Sequence, residues 1–102
     1  MNVLYAGTPT NSADILKFLA LSKKINIKGV ITQNNKIGKR GNKLIESPVA
    51  IEAKTHKIPV FMPTDLNEDE FKKTLDSLNI DILLVVAYGR IIPEWLLKLP
   101  KL

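Results

Sequence analysis

One histidine, His56, and no cysteine occur among the 102 residues. A disulfide framework and a thiolate metal site are therefore excluded, and one imidazole cannot supply the several converging donors that a metal needs. His56 lies near the end of a basic segment that reads as a helix, where a dipole contact or plain exposure is the ordinary role. The acids Asp65, Glu68, Asp69 and Glu70 gather where another helix should begin, which suits the positive end of a helix dipole. Gly7 stands alone after the first apolar run. Neither a Gly-x-Gly-x-x-Gly turn nor a Gly-Lys-Ser/Thr loop is present, which disfavours nicotinamide and nucleoside-triphosphate chemistry. No acid–base pair and no activated nucleophile is evident, so the chemistry open to these residues is recognition.

Two features could carry it. The first is charge. Between Lys23 and Lys57 lie nine Lys or Arg and two Glu, a net of +7 within a chain of net +5, whereas from Ile58 onward acids outnumber bases seven to five. A basic field of this kind attracts polyanions, nucleic acid foremost, although a solvated lysine-rich surface would look the same. The second is a pair of turns, Ala6-Gly7-Thr8-Pro9 and Ala87-Tyr88-Gly89-Arg90, whose placement depends on the elements around them.

Those elements alternate. Asn2 to Ala6 is a short apolar strand entering a turn. Asn11 or Ser12 can cap a helix from Ala13 to about Leu21, with Ile15, Phe18, Leu19 and Ser22 on one face and Leu16 and Ala20 beside it. Ile25 to Ile31 is a β-branched strand. Gln33 to Lys43 is a polar, basic loop broken by Gly38 and Gly41. Ser47-Pro48 is a cap followed by proline at the first helical position, which predicts a helix to about Thr55. Ile58 to Phe61 is a short strand that Pro59 confines to a sheet edge or a strand start. Asp65 or Asn67 caps a third helix, buried through Phe71, Leu75 and Leu78. Ile82 to Ala87 is a continuous apolar run, as expected of a strand covered on both faces. Pro93 opens a short last helix with Trp95, Leu96 and Leu99 for packing.

Strands alternating with helices predict an α/β domain with a parallel, doubly wound sheet. In such an order strand 1 lies beside strand 4, and ligands bind outside the carboxyl ends where the order reverses. That brings the two turns together as one cleft. The composition is that of an ordinary soluble globular protein, 45% hydrophobic and 25% charged. The apolar run Ile82 to Tyr88 is too short to span a membrane as a helix, and the N-terminus lacks the pattern of a signal peptide. A soluble, cytoplasmic protein is expected.

The motifs resemble those of the methionyl-tRNA formyltransferases. Ala6-Gly7-Thr8-Pro9 resembles their opening turn. Thr32-Gln33, Arg40-Gly41, Lys43-Leu44 and Ser47-Pro48-Val49 follow the loop after their second strand at matching spacing. Ile58-Pro59-Val60 with Pro63, then Val85-Val86-Ala87-Tyr88-Gly89 with Ile91-Ile92-Pro93, then Leu99-Pro100-Lys101-Leu102 complete the match along the chain. Thr10-Asn11-Ser12 departs from the family's Asp-Phe-Ala, Asn34-Asn35 and Ile37 depart from its Pro-Asp…Pro, and Arg90 stands where an apolar residue is common.

The resemblance implies a Rossmann-like formyltransferase fold, incomplete after the fourth strand, with residues 1–102 as the N-terminal portion of the catalytic domain and the C-terminal tRNA-binding domain absent. It implies transfer of a formyl group from 10-formyltetrahydrofolate, as co-substrate, to the amino group of methionyl initiator tRNA. The family's catalytic Asn-x-His pair and later Asp have no counterpart here, so no catalytic residue is carried over. The chain alone is expected to be inactive, and a complementing C-terminal polypeptide is one candidate partner. Tyr88, Gly89, Arg90, Ile91 and Ile92 match the turn lining the folate pocket, with backbone groups on the pterin edge and the two isoleucines either on its apolar face or in the core of the last helix. Lys36, Lys39, Arg40 and Lys43 match the basic loop that approaches the tRNA acceptor end. Alternatives are a non-catalytic folate- or tRNA-binding chain, or the front half of another folate-dependent formyltransferase. The Thr-Gln…Arg-Gly…Ser-Pro-Val pattern argues against the last.

Overall fold

The computed structural model of the chain describes residues 1–34, 36–37 and 44–101. Its sheet is built from β1 (Asn2–Gly7), β2 (Asn26–Ile31), β5 (Val60–Phe61) and β6 (Ile82–Val86), all parallel, in the order β5-β2-β1-β6. The helices are α1 (Thr10–Ala20), α2 (Pro48–Thr55), α3 (Asp69–Asp76) and α4 (Glu94–Lys98). The segment expected to be loop, Gln33 to Lys43, holds β3 (Lys36–Ile37), which pairs antiparallel with β4 (Leu44–Ile45) just after it. Of the basic residues expected there, Lys36 has its backbone in β3, while Lys39, Arg40 and Lys43 lie outside the described residues.

Two cores follow from strand alternation. Leu4, Ala6 and Ile31 turn to one face and pack with Phe71 and Leu75 of α3, Leu96 of α4, Leu66, Ile80 and Tyr88. Tyr5, Ile27 and Val30 turn to the other face and meet Ala13 and Leu16 of α1 and Val49 and Ala53 of α2. Ile27 and Val30 share a face although three positions apart, because the register shifts between Val3 and Leu4, pairing Val3 with Ile27 but Leu4 with Gly29. Helices thus cover both faces, the doubly wound arrangement that the alternating pattern predicts. β1 sits beside β6 as expected.

Some local expectations are corrected. The buried side of α1 is Ser12, Ala13 and Leu16, with Leu19 and Ala20 partly covered, whereas Ile15 and Phe18 face solvent at 41% and 77% exposure. Neither Asn11 nor Ser12 caps α1: Pro9 is its N-cap residue, and Ser12 is already inside the first turn. Likewise α3 begins after Glu68 without a side-chain cap, and Asp65 instead closes a turn by accepting from the Asn67 N–H at 2.9 Å. β6 touches both cores through Leu83 on one face and Leu84 and Val86 on the other, yet it stays partly exposed because β1 is its one neighbour among the described residues. No helix among the described residues is long and apolar enough to cross a membrane.

The cap of α2 is as the sequence predicts. Ser47 Oγ accepts from the Ala50 N–H at 3.0 Å and is hydrogen-bonded to the buried Thr32 hydroxyl at 2.6 Å. Ser47→Ala removes the cap and leaves Thr32 unpartnered in the interior. The cap is worth about 1 kcal/mol, and an unsatisfied buried hydroxyl costs about 1–3 kcal/mol. A loss of about 2–3 kcal/mol in urea unfolding is expected; a change below about 0.5 kcal/mol would show that neither bond matters.

Candidate functional site

The order β5-β2-β1-β6 means that the chain winds outward from β1 and then returns to its other side. The reversal falls between β1 and β6, and the turns beyond their carboxyl ends face each other there. Gly7 lets them approach closely: a Cβ at that position would lie 2.7 Å from the Val86 carbonyl oxygen and 2.9 Å from Ser12 Cβ. Ser12 uses this proximity to donate a hydrogen bond to the Val86 carbonyl across the reversal. Tyr5 reinforces it from below, its hydroxyl donating to the Ser12 carbonyl at 2.7 Å, and burial pushes that phenol's pKa up.

After β6 the backbone turns sharply. Ala87 has φ +53° and Gly89 φ +93°. A non-glycine residue in the left-handed region costs about 1–2 kcal/mol and persists only where its surroundings hold it. Here the surroundings are specific. The Tyr88 ring is buried in the core with Leu4, Ile31 and Leu96, and the Tyr88 carbonyl accepts from Thr8 Oγ1 at 2.7 Å and from Gln33 Nε2 at 2.9 Å. The Tyr88 hydroxyl has no hydrogen-bond partner among the described residues; burial raises its pKa, and the nearby Arg90 charge opposes the rise. The Arg90 guanidinium donates to the Pro63 carbonyl at 2.6 Å and the Thr64 carbonyl at 3.0 Å, tying the turn to the segment before α3.

Between that segment and the turn lies an open cleft of about 520 Å³, lined by Asp65, Leu66, Asn67, Gly89, Arg90, Ile91 and Pro93. This volume is in the range of small-molecule sites. Of the five residues expected on the folate-facing turn, Gly89, Arg90 and Ile91 line the cleft, with Ile91 exposed to 91%. Tyr88 is buried and Ile92 packs on the core, so the two isoleucines divide between pocket and core. Asp65 and Asn67, which read in the sequence as helix-start residues, form the opposite wall. Asn67 is held by Trp95, whose Nε1 donates to Asn67 Oδ1 at 3.1 Å, and Trp95 is braced edge-on by Phe71 at 5.9 Å between ring centroids. No sequence signal marks Asn67 as a wall residue, because its partner lies 28 positions away.

The backbone of the turn is the main chemical resource. Among the described residues, the N–H groups of Gly89, Arg90, Ile91 and Ile92 have no protein acceptor. Unpaired backbone donors beside an exposed apolar side chain suit a flat heterocycle, with hydrogen bonds at its edge and contact on its face. The cleft holds one carboxylate, Asp65, and one guanidinium, Arg90, and neither histidine nor any nucleophile. His56 lies elsewhere, at the amino end of β2, where its Nε2 is 2.8 Å from Glu52 Oε2 beside a smaller cavity. No cluster of three or more potential metal ligands occurs among the described residues.

A family model described as formyl transferase matches residues 1–102. The chain belongs to the formyl transferase family. Over 101 residues this family member is 41% identical to a protein named methionyl-tRNA formyltransferase from Thermotoga neapolitana, covering 99% of the chain and 32% of that protein. Among solved structures it is similar to the phosphoribosylglycinamide formyltransferase of Anaplasma phagocytophilum, with a TM-score of 0.64 and 19% identity over 96% of the chain and 44% of the other. It is also similar to that of Bacillus halodurans, with a TM-score of 0.66 and 18% identity over 97% of the chain and 51% of the other. At these identities the structures speak for the fold. The chain spans about a third of the curated relative's length and about half of each solved neighbour's.

Proposed function

We propose that this chain is the N-terminal portion of the catalytic domain of a cytoplasmic methionyl-tRNA formyltransferase, serving the initiation of translation. In this reading the turn Tyr88–Ile92 takes 10-formyltetrahydrofolate, the formyl donor, and the basic segment Lys36–Lys43 approaches the acceptor end of methionyl initiator tRNA. The observation that carries it is the row of N–H groups from Gly89 to Ile92 that have no acceptor among the described residues, beside a cleft between the turn after β6 and the segment before α3. Such donors match the acceptor edge of a pterin, and Ile91 offers it an apolar face. The likeness to the Thermotoga neapolitana protein supports the tRNA branch of the family. The chain's contribution is to bind and orient. The formyl transfer itself would need groups like the family's Asn-x-His, a pattern that residues 1–102 do not hold.

The tRNA half is tested by titrating the chain with initiator tRNA over a range of salt. Removing one phosphate interaction should flatten the slope of log affinity against log salt by roughly 0.7–0.9. Arg40→Ala with Lys43→Ala should therefore flatten it by about 1.5 and weaken binding by about tenfold or more at low salt. An unchanged slope would remove the basic segment from the tRNA interface.

A further inference from the structure

The hydrogen bonds to the Tyr88 carbonyl join three parts of the chain that are far apart in sequence. Thr8 follows β1, Gln33 follows β2, and Tyr88 follows β6. Thr8 also accepts from the Gln33 N–H at 3.4 Å, so the two donors are connected to each other. The packing leaves no slack around this junction. A Cβ on Gly89 would collide with Gln33 Nε2, which places the Gln33 amide directly against the Gly89 backbone.

We propose that Thr8 and Gln33 are positioning residues for the ligand-reading turn: by holding the Tyr88 carbonyl, they orient the Gly89 N–H and fix the turn in its binding shape. Peptide geometry supplies the reason. The Tyr88–Gly89 peptide is planar and trans, so the carbonyl and the following N–H point in opposite directions. With both acceptor sites of the Tyr88 oxygen taken from the side of β1 and β2, the Gly89 N–H faces away from Thr8 and Gln33, on the side left for a ligand. Rotation of this peptide changes Tyr88 ψ and Gly89 φ, and glycine, with no Cβ, sets little barrier to it once the carbonyl is released. A turn held in advance binds with less ordering cost than one that must be arranged by the ligand. The identity of the ligand rests on the folate reading above; the positioning role does not.

The test is made on the full chain by nuclear magnetic resonance. It compares the parent with Thr8→Val, which keeps the shape and loses the donor, with Gln33→Ala, and with Thr8→Ser, which keeps the donor. The readouts are the Tyr88 carbonyl carbon shift, the backbone order parameters of Gly89 to Ile91, and the affinity for a non-transferring 5-deaza analogue of tetrahydrofolate. In Thr8→Val and Gln33→Ala the carbonyl signal should move upfield and the order parameters should fall from about 0.85 to below about 0.6. Affinity should weaken by about tenfold or more, and Thr8→Ser should retain the parent values. Unchanged order parameters in both variants, or a loosened turn with undiminished affinity, would overturn the proposal. If the parent does not bind the analogue but the turn loosens in the variants and not in Thr8→Ser, the clamp stands and the folate reading fails. If the parent binds and the variants match it in every readout, the clamp fails and the folate reading stands.

Discussion

Gly89→Ala should weaken binding of the folate analogue by about tenfold or more. It should also lower stability by about 2 kcal/mol, which for a domain of this size is roughly 10 °C in Tm. Two effects act together. At φ +93° an L side chain is strained whatever space surrounds it, and the added methyl would collide with Gln33 Nε2. The side chain of Gln33 can move, but moving it releases the Tyr88 carbonyl and with it the turn. Binding should therefore fall by more than the stability loss alone explains, since a folded variant would still carry a misdirected peptide. Calorimetric titration and thermal unfolding on the same sample check this. A variant with parental affinity and parental Tm would mean that the turn's shape does not depend on this position.

The second large effect concerns the scaffold. Leu4 lies in the middle of β1, is fully buried, and packs with residues of both α3 and α4. Leu4→Ala should cost about 2–5 kcal/mol, the lost transfer energy plus the cavity left behind. A domain of this size has about 5–15 kcal/mol in total, so the variant should be largely unfolded well below the parent's urea midpoint. Ile91→Ala gives the opposite outcome at similar chemistry. Its side chain is 91% exposed, so stability should change by no more than about 0.5 kcal/mol while affinity for the analogue falls. A Leu4→Ala variant as stable as the parent would mean that the core is not centred on β1.

Much of this architecture is legible in the residues themselves, because it rests on local rules. Ser47-Pro48 states a cap and a helix start in two residues. Pro59 marks a strand start that needs no N–H, and in the fold it directly precedes β5, its carbonyl serving β2 by accepting from Val30 at 2.9 Å. The run Ile82 to Val86 declares a strand with a core on each face. From these pieces the adjacency of β1 and β6 follows by the rules of parallel sheets. The cleft itself is a correction, since it opens between the turn after β6 and the segment before α3 and is not lined by Ala6 to Pro9.

What is not legible depends on contacts between distant segments. Ile15 and Phe18 look like the buried face of α1 by spacing and hydrophobicity. The helix is instead turned so that Ser12 reaches the Val86 carbonyl, 74 positions away. A small hydroxyl fits against Gly7 where a larger apolar group would not, so close packing overrides the apolar stripe. Gln33 reads as a polar loop residue; its bond to Tyr88 spans 55 positions and has no local signature. Asp65 and Asn67 resemble helix caps because turns and caps use the same side-chain chemistry. Their place on the cleft wall comes from the path of the chain between β5 and α3.

Whether the turn from Gly89 to Ile92 receives the pterin edge of a reduced folate is tested most directly by titrating ¹⁵N-labelled chain with the 5-deaza analogue. Saturable shifts are expected at the amides of Gly89, Arg90, Ile91 and Ile92 and at Asp65 to Asn67 across the cleft, with His56 and Lys57 unmoved. Saturable shifts centred on His56 and Lys57 instead, or none at any residue of the turn at millimolar analogue, would contradict it.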